Sequence, residues 1–299
     1  MKYYSLNQYL QDTFGQKVYK ISLDGGFTCP NRDGTLDTRG CIFCSQAGSG
    51  EFAQNRADSI WQQIEKGKER LKNKIQNGKY IAYFQAFTNT YAPIERLREL
   101  YEEAISHPDI AILSIATRPD CLSEEVLLLL QEMNEKKPVW VELGLQTIHE
   151  NSAIYIRRGY PLSVYDEAVK NLKKIGVEVI VHVILGLPGE TTAQMKETVS
   201  YVAKSGADGI KLQLLHVIKG TDLEKDYRAG QFRTLEMEEY VNLVADCIAL
   251  LPPNMVIHRL TGDGDRKTLV APLWSLHKKQ VLGAIHQMLE KGVKSKKIQ

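Results

Sequence analysis

Short apolar runs rich in β-branched residues alternate with longer amphipathic stretches from about Val18 onward, and this alternation constrains the fold more than any other feature. Near-continuous apolar strands separated by helices indicate a parallel sheet with helices outside. The predicted strands are Val18–Ser22, Tyr80–Gln85, Ile110–Ile115, Val139–Leu143, Val177–Leu185 and Gly209–Leu214. The predicted helices are Ser59–Ile75, Ile94–Ile105, Ser123–Glu135, Pro161–Ile175 and Thr191–Lys204. Six right-handed units, fewer than the eight of a closed barrel, predict an α/β protein with a partial (β/α)6 TIM-like barrel.

The regular alternation of strands and helices ends after Lys219, and the pattern beyond it predicts a C-terminal α/β extension packed on the barrel. Its predicted parts are a helix at Leu235–Leu251, a strand at Met255–Arg259, a Gly/Asp loop at Thr261–Arg266 and a helix at Trp274–Leu289. No low-complexity linker separates the two parts. We therefore expect a single domain over 1–299, with a barrel core at about 15–220 and an extension at about 221–299.

Composition places the chain among ordinary globular proteins, with 43% hydrophobic and 25% charged residues. The formal net charge of +2 argues against wholesale coating of nucleic acid but allows a local basic patch. The apolar run Val177–Leu187 is too short to span a bilayer, and the N-terminus lacks the residue order of a secretory signal. A cytoplasmic protein without a membrane partner is expected.

Three of the five cysteines, Cys29, Cys41 and Cys44, lie close together in a glycine-rich segment that directly follows the first predicted strand. Such clustering indicates a metal site rather than a disulfide framework in a reducing compartment. Barrels of this kind carry their chemistry at the carboxyl ends of the strands, where this segment falls. The isolated Cys247 is interpreted as a packing residue, and Cys121 as a packing or loop residue with an approach to the site as the alternative.

A set of three cysteines with no fourth nearby ligand favours an iron–sulfur cluster over zinc. A structural zinc site takes four protein ligands, and it would be left open here. A [4Fe–4S] cluster held by three cysteines has one iron free for a ligand that is not protein. The alternative that stays open is a zinc knuckle completed by a distant side chain such as His182 or His216.

The Cys41-Ile-Phe-Cys44 segment resembles the radical S-adenosylmethionine (SAM) superfamily, in which an aromatic residue stands just before the last cysteine. Eleven residues separate Cys29 from Cys41, a long loop that is similar to the Elongator catalytic-subunit branch. Within that branch, five further segments resemble the bacterial YhcC/YtqA (MnmL) type of tRNA-modifying proteins: Tyr83–Pro93, Ala116–Cys121, Val141–Thr147, His182–Glu190 and Arg259–Gly262.

This resemblance implies an enzyme whose [4Fe–4S] cluster, held by the three cysteines, reductively cleaves SAM to a 5′-deoxyadenosyl radical. It further implies action on tRNA, converting carboxymethylaminomethyl to aminomethyl at the fifth carbon of the wobble uridine (U34). An electron donor such as flavodoxin or ferredoxin would be a partner, as would the anticodon loop. The resemblance assigns no catalytic residue beyond the groups that hold the cofactors.

The same resemblance implies a set of SAM contacts at successive strand ends. Gln146 and Arg158 have the separation of a ribose-binding amide and a guanidinium that forks onto the SAM carboxylate. The other contacts implied are Phe43 beside the adenine, Thr88 and Asn89 as acceptors for the amino group, Glu142 as a replacement for a glutamate absent at Ala116, and Gly186 and Pro188 in the turn that adenine approaches.

Each contact also has a plainer interpretation. Gln146 and Glu142 could satisfy one another inside the barrel mouth, Arg158 could pair with Glu150 on the surface, and Gly186 could simply allow the turn after its strand. On the substrate side, the candidate residues are Lys211, Gln213, His216, Arg259, Asp263, Asp265 and Arg266. Stacking or phosphate contact with an anticodon loop is a hypothesis for Tyr91, Arg259 and Trp274, with packing or salt pairing as the alternative.

Two competing functions stay open at this point. The first keeps the radical SAM chemistry but applies it to a small metabolite. The second, from a different class, is a zinc-stabilised nucleic-acid-binding module without catalysis.

Overall fold

The structure is a computed structural model that describes residues 3–48, 50–75 and 78–296. In these ranges the strands are β1 Val18–Leu23, β2 Lys79–Phe84, β3 Ile110–Thr117, β4 Val139–Gln146, β5 Glu178–Leu185, β6 Gly209–Leu214, β7 Val217–Ile218, β8 Val256–Arg259 and β9 Leu269–Ala271. The α-helices are α1 Leu6–Phe14, α2 Ile60–Leu71, α3 Ile94–Ser106, α4 Glu124–Lys136, α5 Glu150–Tyr155, α6 Leu162–Lys174, α7 Thr192–Lys204, α8 Asp222–Arg228, α9 Met237–Leu250 and α10 Lys278–Lys296.

Seven parallel strands form one curled sheet in the order β1-β2-β3-β4-β5-β6-β8. Helices cover its outer face, and the strands are buried on both sides, which is why they read as continuous apolar runs. This arrangement confirms the predicted α/β class and the partial TIM-like barrel. β7 and β9 pair antiparallel in a small separate sheet beside the barrel.

Local capping explains where several helices begin. The Ser59 hydroxyl accepts from the Gln62 amide at 3.2 Å, while the Gln62 side chain accepts from the Ser59 amide at 3.1 Å. Thr191 and Gln194 make the same reciprocal pair before α7. Each capping box satisfies backbone donors that the first turn of a helix leaves without partners. Both helices therefore start where the sequence predicts.

The strand at the start of the C-terminal region has a larger role than the sequence predicted. Val256 to Arg259 joins the main sheet as its seventh strand, pairing with β6, rather than belonging to an extension packed on a six-stranded barrel. The prediction of six barrel strands is corrected to seven. The last helix begins at Lys278 instead of Trp274, because Leu273–Leu276 forms a 3-10 turn in which the Trp274 indole donates to the Leu235 carbonyl at 3.0 Å.

The unpredicted helix α1 covers the bottom of the barrel. Its Leu10 packs with Trp140 and with the inward apolar side chains of neighbouring strands, and Tyr9 donates to Glu178 at 2.6 Å. Ser5 bridges to Ile257, so the segment also lies against the edge strand β8. Since the bottom is filled in this way, solvent reaches the barrel interior from the opposite end. In the described part of the chain, no helix is long and apolar enough to cross a membrane.

Candidate active site

A cavity of about 310 Å³ opens at the carboxyl ends of the parallel strands. All three clustered cysteines line it, together with side chains that follow or end β2, β3, β4, β5, β6 and β8. The sequence predicted that the cysteines stand at this end of the barrel, and the structure places them there. In barrels of this type the loops at the carboxyl ends of the strands build the active site.

The cysteine loop is held by backbone contacts rather than by regular structure. Arg32 donates to the carbonyls of Cys44 at 2.9 Å and Ser45 at 2.5 Å. The Gly40 amide donates to the Asn31 carbonyl at 2.7 Å, and Gly40 has a φ of +77°. This left-handed backbone favours glycine, and a Cβ here would also lie 2.9 Å from the Arg32 Nε, so the guanidinium would have to shift.

The protein alone does not stabilise a thiolate at Cys41. Burial raises the pKa of the Cys41 thiol to about 12, and repulsion from Cys44 adds to the effect. The Asn31 amide donates to the Cys41 sulfur at 3.4 Å, and the Arg118 charge acts in the same favourable direction, but neither offsets the burial. Thiols become thiolates outright when they bind a metal, so bound iron would supply the missing positive charge.

Two predicted SAM contacts present buried polar atoms without a hydrogen-bond partner. These atoms are the Gln146 Oε1 and the Arg158 Nη2, and both side chains line the cavity. The rest of the Arg158 guanidinium is engaged, since Nη1 donates to the Thr147 carbonyl at 2.6 Å and Nε to the Tyr160 carbonyl at 3.0 Å. Arg158 therefore cannot offer two free nitrogens to the SAM carboxylate, as the resemblance implied. Only the Nη2 group is left to donate to a ligand.

The structural alternatives for these residues were a Gln146–Glu142 bond and a surface pair between Arg158 and Glu150. Gln146 and Glu142 do not bond each other, because Glu142 is committed elsewhere. Arg158 does approach Glu150, at 3.7 Å between Nη2 and Oε2, but its side chain is only 2% exposed and does not form a surface pair.

Strained backbone accumulates around the same cavity. Phe87, Gln146 and Arg157 are the non-glycine residues that carry positive φ among those described, at 60°, 69° and 58°. Left-handed backbone costs a side-chain-bearing residue roughly 1–3 kcal/mol, and such strain concentrates at functional sites. At Gln146 it coincides with a register shift in the β4–β5 pairing, which turns the side chain into the cavity.

The remaining predicted SAM contacts divide into two groups. Phe43 and Thr88 line the cavity with the cysteines. Asn89 is fully buried beneath it and donates to the Ala116 carbonyl at 2.8 Å. Gly186 and Pro188 do not line it; Pro188 borders a separate depression beside α5. The adenine contact implied for the Gly186–Pro188 turn stays a prediction.

Glu142 lies at the inner end of the cavity, fully buried among cations. Its Oε1 accepts from Lys20 at 2.9 Å and from Ser114 at 2.9 Å, while Oε2 pairs with Lys211 and with His182 at 2.7 Å. Burial alone would raise the pKa of Glu142, but the charges of the two lysines hold that pKa well below its usual range. Its predicted part as a SAM contact is untested, while its observed contacts belong to an ion cluster inside the barrel.

Two histidines that sequence reasoning named as possible zinc ligands have other surroundings. His182 lines the cavity and is bound to Glu142, and burial lowers its pKa to about 4. His216 also lines the cavity; burial lowers its pKa to about 4, and its Nε2 has no hydrogen-bond partner. Both imidazoles are therefore neutral at pH 7.

Several side chains that line the cavity or contact its lining were missed by sequence reasoning. Lys20 and Tyr83 belong to strands β1 and β2, and their inward direction follows from the alternation of side chains along a strand. Arg118, which follows β3, lines the cavity and is fixed by Asp120 at 2.7 Å. Its position after a buried strand was the signal that could have identified it.

Some substrate-side candidates are brought to the cavity and others are not. The cavity is lined by Lys211, Gln213, His216, Arg259, Asp263 and Asp265. Tyr91 borders a neighbouring depression that also contains Cys121. Trp274 packs against Tyr240 with ring centroids 5.7 Å apart, which is the packing alternative. Cys247 is fully buried in the core, as predicted.

A parallel half-barrel with three cysteines in its open mouth defines an enzyme that works through a bound cofactor. Residues 38–202 match the model of the radical SAM superfamily, and residues 207–291 match the radical SAM C-terminal domain. The chain belongs to the radical SAM superfamily, and it is an enzyme of that superfamily. The zinc-module alternative is therefore wrong.

Individual relatives agree with this assignment. The chain is 50% identical to YtqA of Bacillus subtilis over 97% of its own length and 90% of that protein. It is 32% identical to the tRNA uridine(34) acetyltransferase of Dehalococcoides mccartyi over 50% of its own length and 33% of that protein. The structure of the archaeal Methanocaldococcus infernus Elp3 shares the fold with a TM-score of 0.66 at 19% identity, covering 85% of this chain and 58% of that one.

The superfamily uses a [4Fe–4S] cluster and SAM, and these are the cofactors of this enzyme. Among the described residues, no group of three or more His, Cys, Asp or Glu side chains converges so as to hold a metal ion. The cysteines of a cubane bind different irons, so a cluster does not need thiols that converge on one point. The three thiols in one cavity, with the unpartnered Gln146 and Arg158 atoms beside them, fit these cofactors.

Proposed function

We propose that this enzyme acts on tRNA and converts carboxymethylaminomethyl to aminomethyl on the wobble uridine, breaking the bond between the side-chain amine and the carboxymethyl group. In the balance of this reaction the amine–carboxymethyl unit loses two electrons and two protons to give an imine, SAM is the two-electron oxidant, and water hydrolyses the imine to the aminomethyl group and glyoxylate. The observation that carries the proposal is the single cavity that has the three cysteines on one side and the polar side chains of β6 and β8 on the other. A substrate seated against β6 and β8 would face the cofactors directly.

In this proposal Cys29, Cys41 and Cys44 hold the cluster. Phe43, Thr88, Gln146 and Arg158 would hold SAM, because these predicted contacts line the cavity. When bound, the cluster and SAM supply radical chemistry able to break an unactivated C–H bond. The chain's own residues orient the substrate beside them and limit the access of water.

The tRNA substrate is supported by the relatives and by the charge around the mouth. The acetyltransferase relative acts, by its name, on tRNA uridine 34. Three exposed cations, Lys219, Arg266 and Lys267, lie on the segment around the β7–β9 pair, where the Lys219 amide donates to Thr268 at the cavity rim. No ion pair engages these three within the described residues. Unpaired surface cations near a cavity mouth are suited to phosphate contact.

The proposal is tested on tRNA from cells of the source organism that lack this protein. Mass spectrometry of the wobble nucleosides is expected to show carboxymethylaminomethyluridine accumulating and aminomethyluridine missing. Wild-type protein supplied on a plasmid should restore the aminomethyl form, and the Cys44→Ala variant should not. The electron donor, flavodoxin or ferredoxin, stays a prediction.

An unchanged nucleoside profile would contradict the proposal and favour a small metabolite. A gel shift with bulk tRNA separates these two substrates, because phosphate contacts make the affinity fall steeply with salt. Replacing Lys267 by Gln is expected to reduce the slope of log affinity against log salt by about one.

A further inference from the structure

A polar layer crosses the interior of the barrel at the inner end of the cavity. We call it the cavity floor and define it by its six members: Lys20, Tyr83, Glu142, His182, Lys211 and Arg259. They come from strands β1, β2, β4, β5, β6 and β8. All except Lys20 line the cavity, and the Lys20 ammonium lies 4.1 Å from the centre of the Tyr83 ring. The floor therefore faces whatever occupies the cavity.

The cations of the floor outnumber its carboxylates. Lys20 and Lys211 share the single carboxylate of Glu142. Arg259 pairs with Asp263 at 3.2 Å, but the same carboxylate also pairs with Lys278 at 2.5 Å. His182 contributes no charge at neutral pH, because burial lowers its pKa to about 4. The three floor cations therefore face two carboxylates, Glu142 and Asp263, and Asp263 is also shared with Lys278, so positive charge is in excess.

Lys211 and Arg259 are the two floor cations that line the cavity. The two residues are register partners on β6 and β8. Burial lowers the pKa of Lys211; the Glu142 carboxylate opposes this shift, and the charges of Lys20 and Arg259 add to it. The Lys211 side chain is 4% exposed, so water does little to stabilise its charge. Because Lys211 shares Glu142 with Lys20, and Arg259 shares Asp263 with Lys278, an anion that enters the cavity would compensate positive charge that the two carboxylates do not fully neutralise.

We propose that the cavity floor is an anion subsite, in which Lys211 and Arg259 bind the carboxylate of the substrate. This inference rests on the proposed function and deepens it, since the group to be removed from the wobble uridine carries a carboxylate. Both forms carry a protonated amine at neutral pH, so loss of the carboxylate changes the side chain from a zwitterion to a cation. The same subsite therefore binds substrate and repels product, which favours product release.

The test compares two nucleosides that differ only in this carboxymethyl group. Binding of 5-carboxymethylaminomethyluridine and of 5-aminomethyluridine to the anaerobic holoenzyme with SAM, without reductant, is measured by calorimetry. A charge-assisted contact to carboxylate predicts a preference of about 10- to 100-fold for the carboxylated nucleoside. Arg259→Gln is expected to reduce that preference to less than about 3-fold, since one of the two cations is removed.

Lys278→Gln is the matched control. It removes one positive charge from the same Asp263 carboxylate, but Lys278 does not line the cavity, so the preference should persist. Lys211→Met is a second variant that should reduce the preference, and it is combined with Glu142→Gln to preserve the charge balance if the single variant does not fold.

Equal affinity of the wild-type enzyme for both nucleosides would overturn the anion subsite. A loss of SAM affinity in Arg259→Gln, with the nucleoside preference intact, would also overturn it, because the anion would then belong to SAM. Failure of the proposed function has a different signature. If the subsite exists but the proposed function is wrong, the holoenzyme binds the carboxylate probe N-methylglycine, and Arg259→Gln weakens that binding. The wobble nucleosides of tRNA in cells lacking the protein are then unchanged.

Discussion

Replacing Cys41 with alanine is expected to remove iron, colour and SAM cleavage together while the barrel stays folded. The variant deletes one of three thiolates, and two cysteines do not hold a cubane of this type. SAM cleavage should fall by at least about 10³-fold, as expected when a group that acts as part of a unit is removed. The loop should keep its shape, because Arg32 and Gly40 hold it through bonds that do not involve the Cys41 sulfur.

The measurements are the iron and sulfide content of anaerobically purified protein, its visible absorbance, and deoxyadenosine released from SAM under reducing conditions. Circular dichroism checks the fold. Cys121→Ala is the matched control, since Cys121 borders the neighbouring depression and not the cavity. A brown Cys41→Ala protein that still cleaves SAM would refute the assignment of this cysteine.

Replacing Glu142 with glutamine is expected to lower the free energy of unfolding by about 3–5 kcal/mol. The carboxylate is fully buried and is the shared partner of Lys20, Lys211 and His182. Its removal leaves two lysines inside the barrel without a counterion, and the penalty of burying those charges is then not offset.

Urea unfolding of the variant and the wild type measures this difference. The double variant Glu142→Gln/Lys211→Met keeps the same net charge in the cluster and should recover much of the loss, which a double-mutant cycle quantifies. Glu102→Gln is the control: Glu102 pairs with Lys136 at 3.0 Å on the surface with 44% of its side chain exposed, and such pairs contribute about 0–1 kcal/mol. A Glu142→Gln protein as stable as the wild type would show that the cluster does not stabilise the fold.

The barrel could be predicted because the residues that specify each strand and each helix lie next to one another in the sequence. Strands β1 to β6 are mostly apolar, and several crossover helices begin at a cap or an acidic turn that the sequence displays, as at Ser59 and Ser123. The seventh strand was assigned to the wrong part of the molecule, because Val256–Arg259 is short and follows a helix in the C-terminal region. Its pairing with β6 depends on tertiary contacts that no local pattern records.

The sequence predicted the three cysteines of the site, but it did not predict the cluster of charged residues inside the barrel. Cys29, Cys41 and Cys44 are close in sequence, so their spacing carries the chemistry. The partners Lys20 and Glu142 are 122 residues apart and meet inside the barrel because of strand curvature and register. A single sequence without that register cannot show that a glutamate suited to a ligand contact is already neutralised by two lysines.

The most direct measurement of the proposed reaction uses the purified enzyme. Reconstituted protein is incubated anaerobically with SAM, a reductant and tRNA that carries carboxymethylaminomethyluridine at the wobble position, and the nucleosides are then analysed by mass spectrometry. We predict that aminomethyluridine forms and that deoxyadenosine is released alongside it. Deoxyadenosine released while the carboxymethylaminomethyluridine stays intact would contradict the account.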